Sequence, residues 1–136
     1  MKANKFFLIC AFFVCACTPK QNATPNNSIK MEDGLKCEVS RFDFGDVSLK
    51  SRDTTNFVFK IENTKNIKID ITSVDVGCEC VHIKSYPKYI KPNATAKIVG
   101  YVDLRKQYGH ISKPIFVNTA NKKVLLLRVV GNVTAH

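Results

Sequence analysis

From about residue 36 onward, apolar and polar side chains exchange every second position, and no long stretch of 3.6-residue period interrupts them. The clearest run is Phe57, Phe59 and Ile61 alternating with Val58, Lys60 and Glu62. It closes on the turn-forming stretch Asn63-Thr64-Lys65-Asn66. Before it, Leu35 to Phe44 reads as a first strand that ends at Gly45-Asp46. Cys37 and Val39 share one parity there and Phe42 and Phe44 the other, which predicts a bulge near Ser40-Arg41. After it, Ile67, Ile69 and Ile71 alternate with Lys68 and Asp70, and the parity then shifts to Val74 and Val76, predicting a second bulge. Gly77 to Pro92 is irregular, with a short strand around Val81-Ile83 and a turn at Lys91-Pro92-Asn93.

Three further runs complete the pattern. Ala96, Ile98, Gly100 and Val102 share an inward face, Ile115 and Val117 another, and Leu125, Leu127, Val129 and Val133 a last one with Arg128 outward. Asp103 to His110 reads as a polar connection. Six to eight short strands in about 100 residues predict an all-β fold, an immunoglobulin-like antiparallel β-sandwich of about seven strands over 35–136. Tryptophan is absent, so the Cys…Trp…Cys signature of antibody-type domains is missing.

The N-terminus follows a different pattern. Lys2 and Lys5 precede the apolar run Phe6 to Val14, which has the length of a signal-peptide core and is short for a membrane span. Val14-Cys15-Ala16-Cys17 resembles the lipobox of bacterial lipoproteins: an aliphatic residue, a tolerated one, a small one, then the modified cysteine. The expectation is a signal peptide over 1–16, lipidation of Cys17, and a polar, proline-punctuated tether over 17–34. Several acyl chains on one residue make a firm anchor, so a membrane partner follows through the lipid on Cys17. Thr18 in place of aspartate favours an outer-membrane position facing the periplasm.

Charge adds little beyond this. Lys and Arg exceed Asp and Glu by ten, and removing residues 1–16 leaves +8. The lysines are scattered and not interleaved with aromatics, so no nucleic-acid partner is predicted. A basic surface suits an anionic membrane or an acidic protein. No phosphate loop, EF-hand spacing or Ser-His-Asp logic is present, and no cofactor or enzymatic activity is expected. Tyr86, Tyr89, Tyr101 and Tyr108 read as half-buried packing at a loop end.

The remaining chemistry lies in sulfur. Once Cys17 is lipidated and Cys10 and Cys15 are removed, Cys37, Cys78 and Cys80 remain as disulfide candidates in a disulfide-permissive compartment. Cys78, Cys80 and His82 stand at i, i+2, i+4 and would share one face of an extended strand. Two thiolates and an imidazole there suit copper(I) or zinc, with a fourth ligand or an open position to complete the site. A structural disulfide, a metal site and thiol exchange are the three readings the residues leave open.

Several segments together resemble a bacterial family catalogued as domain of unknown function 1573. They are Phe42-Asp43-Phe44-Gly45-Asp46-Val47, Phe57 to Thr64, Gly77-Cys78-Glu79-Cys80-Val81, Ile90-Lys91-Pro92-Asn93 and Leu127 to Val133. The likeness runs from about residue 36 to 133. Glu79 and Asn93 stand where that family has glycines. The resemblance implies a sandwich similar to major sperm protein and the related domains of cilia and centrosomes, which are interaction modules without catalytic activity, and it implies fold and placement more than function. The sandwich pattern and the absence of catalytic motifs carry the functional expectation. The leading expectation is therefore a lipid-anchored, non-catalytic envelope module with a protein partner. The alternative is a metal or thiol protein built on Cys78, Cys80 and His82.

Overall fold

The structure, a computed structural model, describes residues 29–30 as backbone and residues 34–135 in full. The signal segment, Cys17 and most of the predicted tether lie outside the described residues. Ile29–Lys30 (β1), within the stretch expected to be tether, pair antiparallel with Lys36 and Cys37.

Nine further strands follow: β2 (Leu35–Cys37), β3 (Arg41–Ser48), β4 (Thr54–Asn63), β5 (Ile69–Val76), β6 (Val81–Ser85), β7 (Tyr89–Ile90), β8 (Thr95–Asp103), β9 (Gly109–Thr119) and β10 (Val124–Thr134). They form two five-stranded sheets, ordered β1-β2-β4-β8-β6 and β3-β10-β9-β5-β7. The predicted sandwich is present, with short additional strands at its margins. All pairings but one are antiparallel; β3 runs parallel to β10.

The alternation read from the sequence becomes the core. Phe57, Phe59 and Ile61 on β4 are buried, while Val58 and Lys60 face out. Ile98 and Val102 on β8 join them, and Ile115, Val117, Leu125, Leu127, Val129 and Val133 close the core from the other sheet. Phe42 meets Phe59 edge-on at 6.4 Å between centroids, one of the contacts that join the two sheets.

Two parity changes have different causes. The shift in β5 is the predicted bulge, a register break between Ile71 and Ser73 against β9. The shift before Phe42 is not a bulge. The predicted first strand is two strands: β2 belongs to one sheet and β3 to the other. The chain crosses over at 38–40, where Ser40 is buried and its carbonyl accepts from the Arg128 amide at 2.8 Å. Crossing to the opposite sheet reverses which parity faces inward. Nor does the strand stop at Gly45-Asp46. It continues to Ser48 across a bulge, where Gly45 has φ of 72° and the register skips between Val130 and Asn132.

Candidate functional site

The turn between β5 and β6 carries the chain from one sheet to the other, and Cys78, Glu79 and Cys80 form it. Backbone bonds hold it on three sides. The Gly77 amide donates to the Pro114 carbonyl at 3.1 Å, the Val81 amide to the Cys78 carbonyl at 3.0 Å, and the Asp103 amide to the Cys80 carbonyl at 2.7 Å. A Cβ on Gly77 would press against the Pro114 ring at 2.7 Å, so glycine here permits close packing on β9. The irregularity that the sequence shows from Gly77 onward is this crossover.

Cys78 and Cys80 are joined by a disulfide, with Cα atoms 5.2 Å apart, inside the ordinary range. The Cys80 amide donates to Cys78 Sγ at 3.2 Å. Both residues are half-buried. A loop closed over one residue restricts the unfolded chain little. The chain-entropy relation gives it about 1.6 kcal/mol, against about 4.7 for a loop of roughly a hundred residues.

Cys37 is not part of this bond. It is a buried free thiol on β2, donating to the Val39 carbonyl at 3.3 Å, and burial raises its pKa above the ordinary thiol value. Its strand position explains why no bridge to Cys78 or Cys80 forms. Cys37 stands in register with Ile61, and Ile61 with Ala96, whereas Cys80 bonds to Asp103 at the far end of β8. That separation is about 23 Å along the strand.

The three-ligand convergence of Cys78, Cys80 and His82 is also absent. The cysteines lie in the turn and not on an extended strand, so the i, i+2, i+4 alignment does not hold. His82 is on β6, exposed, its ring stacked on Tyr101 at 4.6 Å. Among the described residues no group of three His, Cys, Asp or Glu side chains is placed to hold a metal ion.

An open cavity of about 570 Å³ lies beside the disulfide, lined by the turn itself and by Asp103 and Arg105 to Gln107. Nothing in the hydrophobic pattern singles out these last residues within a polar connection. Buried Leu104 pins that loop, its amide donating to the Asp53 carbonyl at 2.8 Å. Its neighbours are thereby turned toward the sulfur. Arg105 Nε donates to both oxygens of Asp103, at 3.0 and 3.1 Å, and this holds the Asp103 carboxyl down at about 2.

A second feature covers the outer face of the β1-β2-β4-β8-β6 sheet. Asn56, Tyr101 and His82 stand in register across β4, β8 and β6, and Val58 opposite Val99 continues the patch. Val58 is 47% exposed. Lys84 Nζ lies 5.2 Å from the Tyr101 ring centroid, and Lys60 pairs with Lys97 at the patch margin. The expected grouping of four tyrosines at a loop end is not found. Tyr86, Tyr89 and Tyr108 are exposed and separate, and Tyr101 alone belongs to this face.

β6 is the last strand of its sheet. The Asp103 amide donates to the Cys80 carbonyl, which sets the hydrogen-bonding phase of β6 on β8, so by antiparallel alternation Ile83 turns its amide and carbonyl away from β8 toward the open edge. The edge formed by β3 is guarded by Arg41, Asp43, Asp46 and the Gly45 bulge.

A sequence profile for a family described as "Protein of unknown function (DUF1573)" matches residues 35–133. No curated protein matches the chain. Among solved structures, a protein of unknown function from Porphyromonas gingivalis W83 superposes with a TM-score of 0.59 at 16% identity, over 68% of this chain and 44% of that one. The secreted serine protease VesC from Vibrio cholerae does so with 0.61 at 11%, over 75% and 23%. The ASH / PapD-like domain 7 of human CEP192 gives 0.59 at 7%, over 76% and 87%. The chain spans less than half the length of the first two. These likenesses establish the fold alone.

Proposed function

Since this chain belongs to the family of unknown function DUF1573, matched over nearly all of its sandwich, we propose that it is a lipid-anchored, non-catalytic interaction module of the bacterial cell envelope. Its partner is a protein that lays an acidic, extended segment along β6 and over Tyr101. The open edge of β6 beside the exposed patch of Tyr101, His82 and Val58 carries this reading. Strand addition supplies backbone hydrogen bonds to Ile83, and the side-chain patch beside it supplies selectivity. Lys84, Lys60 and Lys97 around that patch, and a chain charge of +8 after removal of residues 1–16, favour an acidic partner. The lipid on Cys17 would hold the module at the outer membrane, facing the periplasm.

A photoreactive residue at Ser85, in cells carrying the full-length protein, tests the docking. One discrete protein adduct is expected, and Lys84→Glu should reduce its yield severalfold. No adduct from Ser85, or one indifferent to the charge reversal, contradicts the proposal.

A further inference from the structure

Beyond the docking surface, we propose that the Cys78–Cys80 disulfide is a thiol-exchange site that oxidises a dithiol admitted to the adjoining cavity. Three observations converge on it. First, the bond closes over a single residue, and three backbone hydrogen bonds already fix the turn, so the disulfide is poorly placed to serve as a staple. Second, both cysteines line an open cavity of about 570 Å³, giving an incoming thiol a route to sulfur. Third, the two sulfurs are not equivalent. The Cys80 amide points at Cys78 Sγ from 3.2 Å, and Lys106 brings a cationic side chain to the same cavity, Arg105 there being paired with Asp103. An oriented N–H and nearby positive charge are what a departing thiolate needs.

The asymmetry sets the order of events. A thiolate of the incoming dithiol attacks Cys80 Sγ and forms a mixed disulfide there. The Cys78–Cys80 bond breaks, its electron pair leaves on Cys78 Sγ facing the Cys80 amide, and that sulfur takes up a proton. The second thiolate of the dithiol then attacks its own sulfur in the mixed disulfide and expels Cys80, which is protonated in turn. Two electrons and two protons pass to the protein, leaving an oxidised partner and two protein thiols. Glu79 and Asp103 are the carboxylates on the rim, and Asp103 is held by Arg105.

The test uses the full-length lipoprotein in detergent, millimolar dithiothreitol as the dithiol, and mass counting of alkylated thiols, with circular dichroism reporting the fold. Two new labelled thiols, on Cys78 and Cys80, are expected while the spectrum is unchanged and buried Cys37 stays unlabelled. With glutathione the mixed disulfide should map to Cys80. Lys106→Gln should slow reaction with anionic glutathione about two- to threefold, the effect of one screened charge, and leave neutral 2-mercaptoethanol unaffected. A Cys78→Ser, Cys80→Ser double variant should fold and still give the Ser85 adduct. A disulfide that opens only when the fold is lost, an adduct confined to Cys78, or a double variant that unfolds would each overturn the inference.

Discussion

Asn63 shows how much one polar side chain can hold in place. It is fully buried, and its Nδ2 donates to the carbonyls of Ile67 at 2.7 Å, Ile90 at 3.1 Å and Lys91 at 3.2 Å. Its Oδ1 accepts from the Lys65 amide at 2.9 Å. One amide thus ties the turn after β4 to the segment after β7. Asn63→Ala leaves these groups short of partners away from water and should cost about 1–3 kcal/mol, read as a lower urea midpoint. Asn63→Asp should cost more, because a carboxylate would then face three carbonyl oxygens. Asp103 gives a second test at this scale. Its carboxyl is depressed to about 2 chiefly by the Arg105 side chain and then by the Arg105 amide. A depressed carboxylate stabilises the fold above its unfolded pKa of about 3.9, and the contribution disappears as pH falls through about 2. Titration followed by NMR should place the Asp103 midpoint near 2 and return it toward the ordinary range in Arg105→Ala. Arg105 is largely solvent-facing, so the pair's effect on stability is small.

Strands are where the sequence was most and least informative. β4 was legible residue by residue, because one of its faces is buried along its whole length and the other is wet. The bulge in β5 was legible from the parity change alone, since Val74 beyond it is half-buried and Val76 is exposed. The crossing from β2 to β3 was not, since a bulge and a change of sheet both shift parity by one position, and only the neighbours distinguish them. The candidate site divides similarly. The cysteine pair was visible in the chain, but the Cys78–Cys80 turn, the stacking of His82 on Tyr101 and the cavity residues Arg105 and Lys106 depend on contacts remote in sequence. Gly100 yields an element-scale prediction. A Cβ there would collide with the His82 carbonyl and the Phe57 ring, so β6 and β4 both lean on its absence. Gly100→Ala should destabilise by about 1–3 kcal/mol in thermal unfolding and loosen β6 first. Amide exchange should be slowest in β8, β9 and β10, which have strand neighbours on both sides over much of their length, and fastest in β1 and β7, which have two residues each.

At the scale of the molecule, a sandwich whose β3 edge is guarded and whose β6 edge is open follows a segment that resembles a lipidation motif. The guarded edge discourages self-pairing, and the open one with its aromatic and basic patch leaves room for a chosen partner. Anchoring is tested separately: Cys17→Ser should abolish fatty-acid labelling and move the protein from the detergent phase to the aqueous phase, with the fold unchanged. The central claim, that a partner strand occupies β6, is tested most directly at the Ile83 amide. Its hydrogen exchange should be fast in the isolated protein and slowed at least about tenfold in the crosslinked complex, a factor equivalent to about 1.4 kcal/mol of added protection. Protection that arises on β3 instead, with Ile83 unchanged, would contradict it.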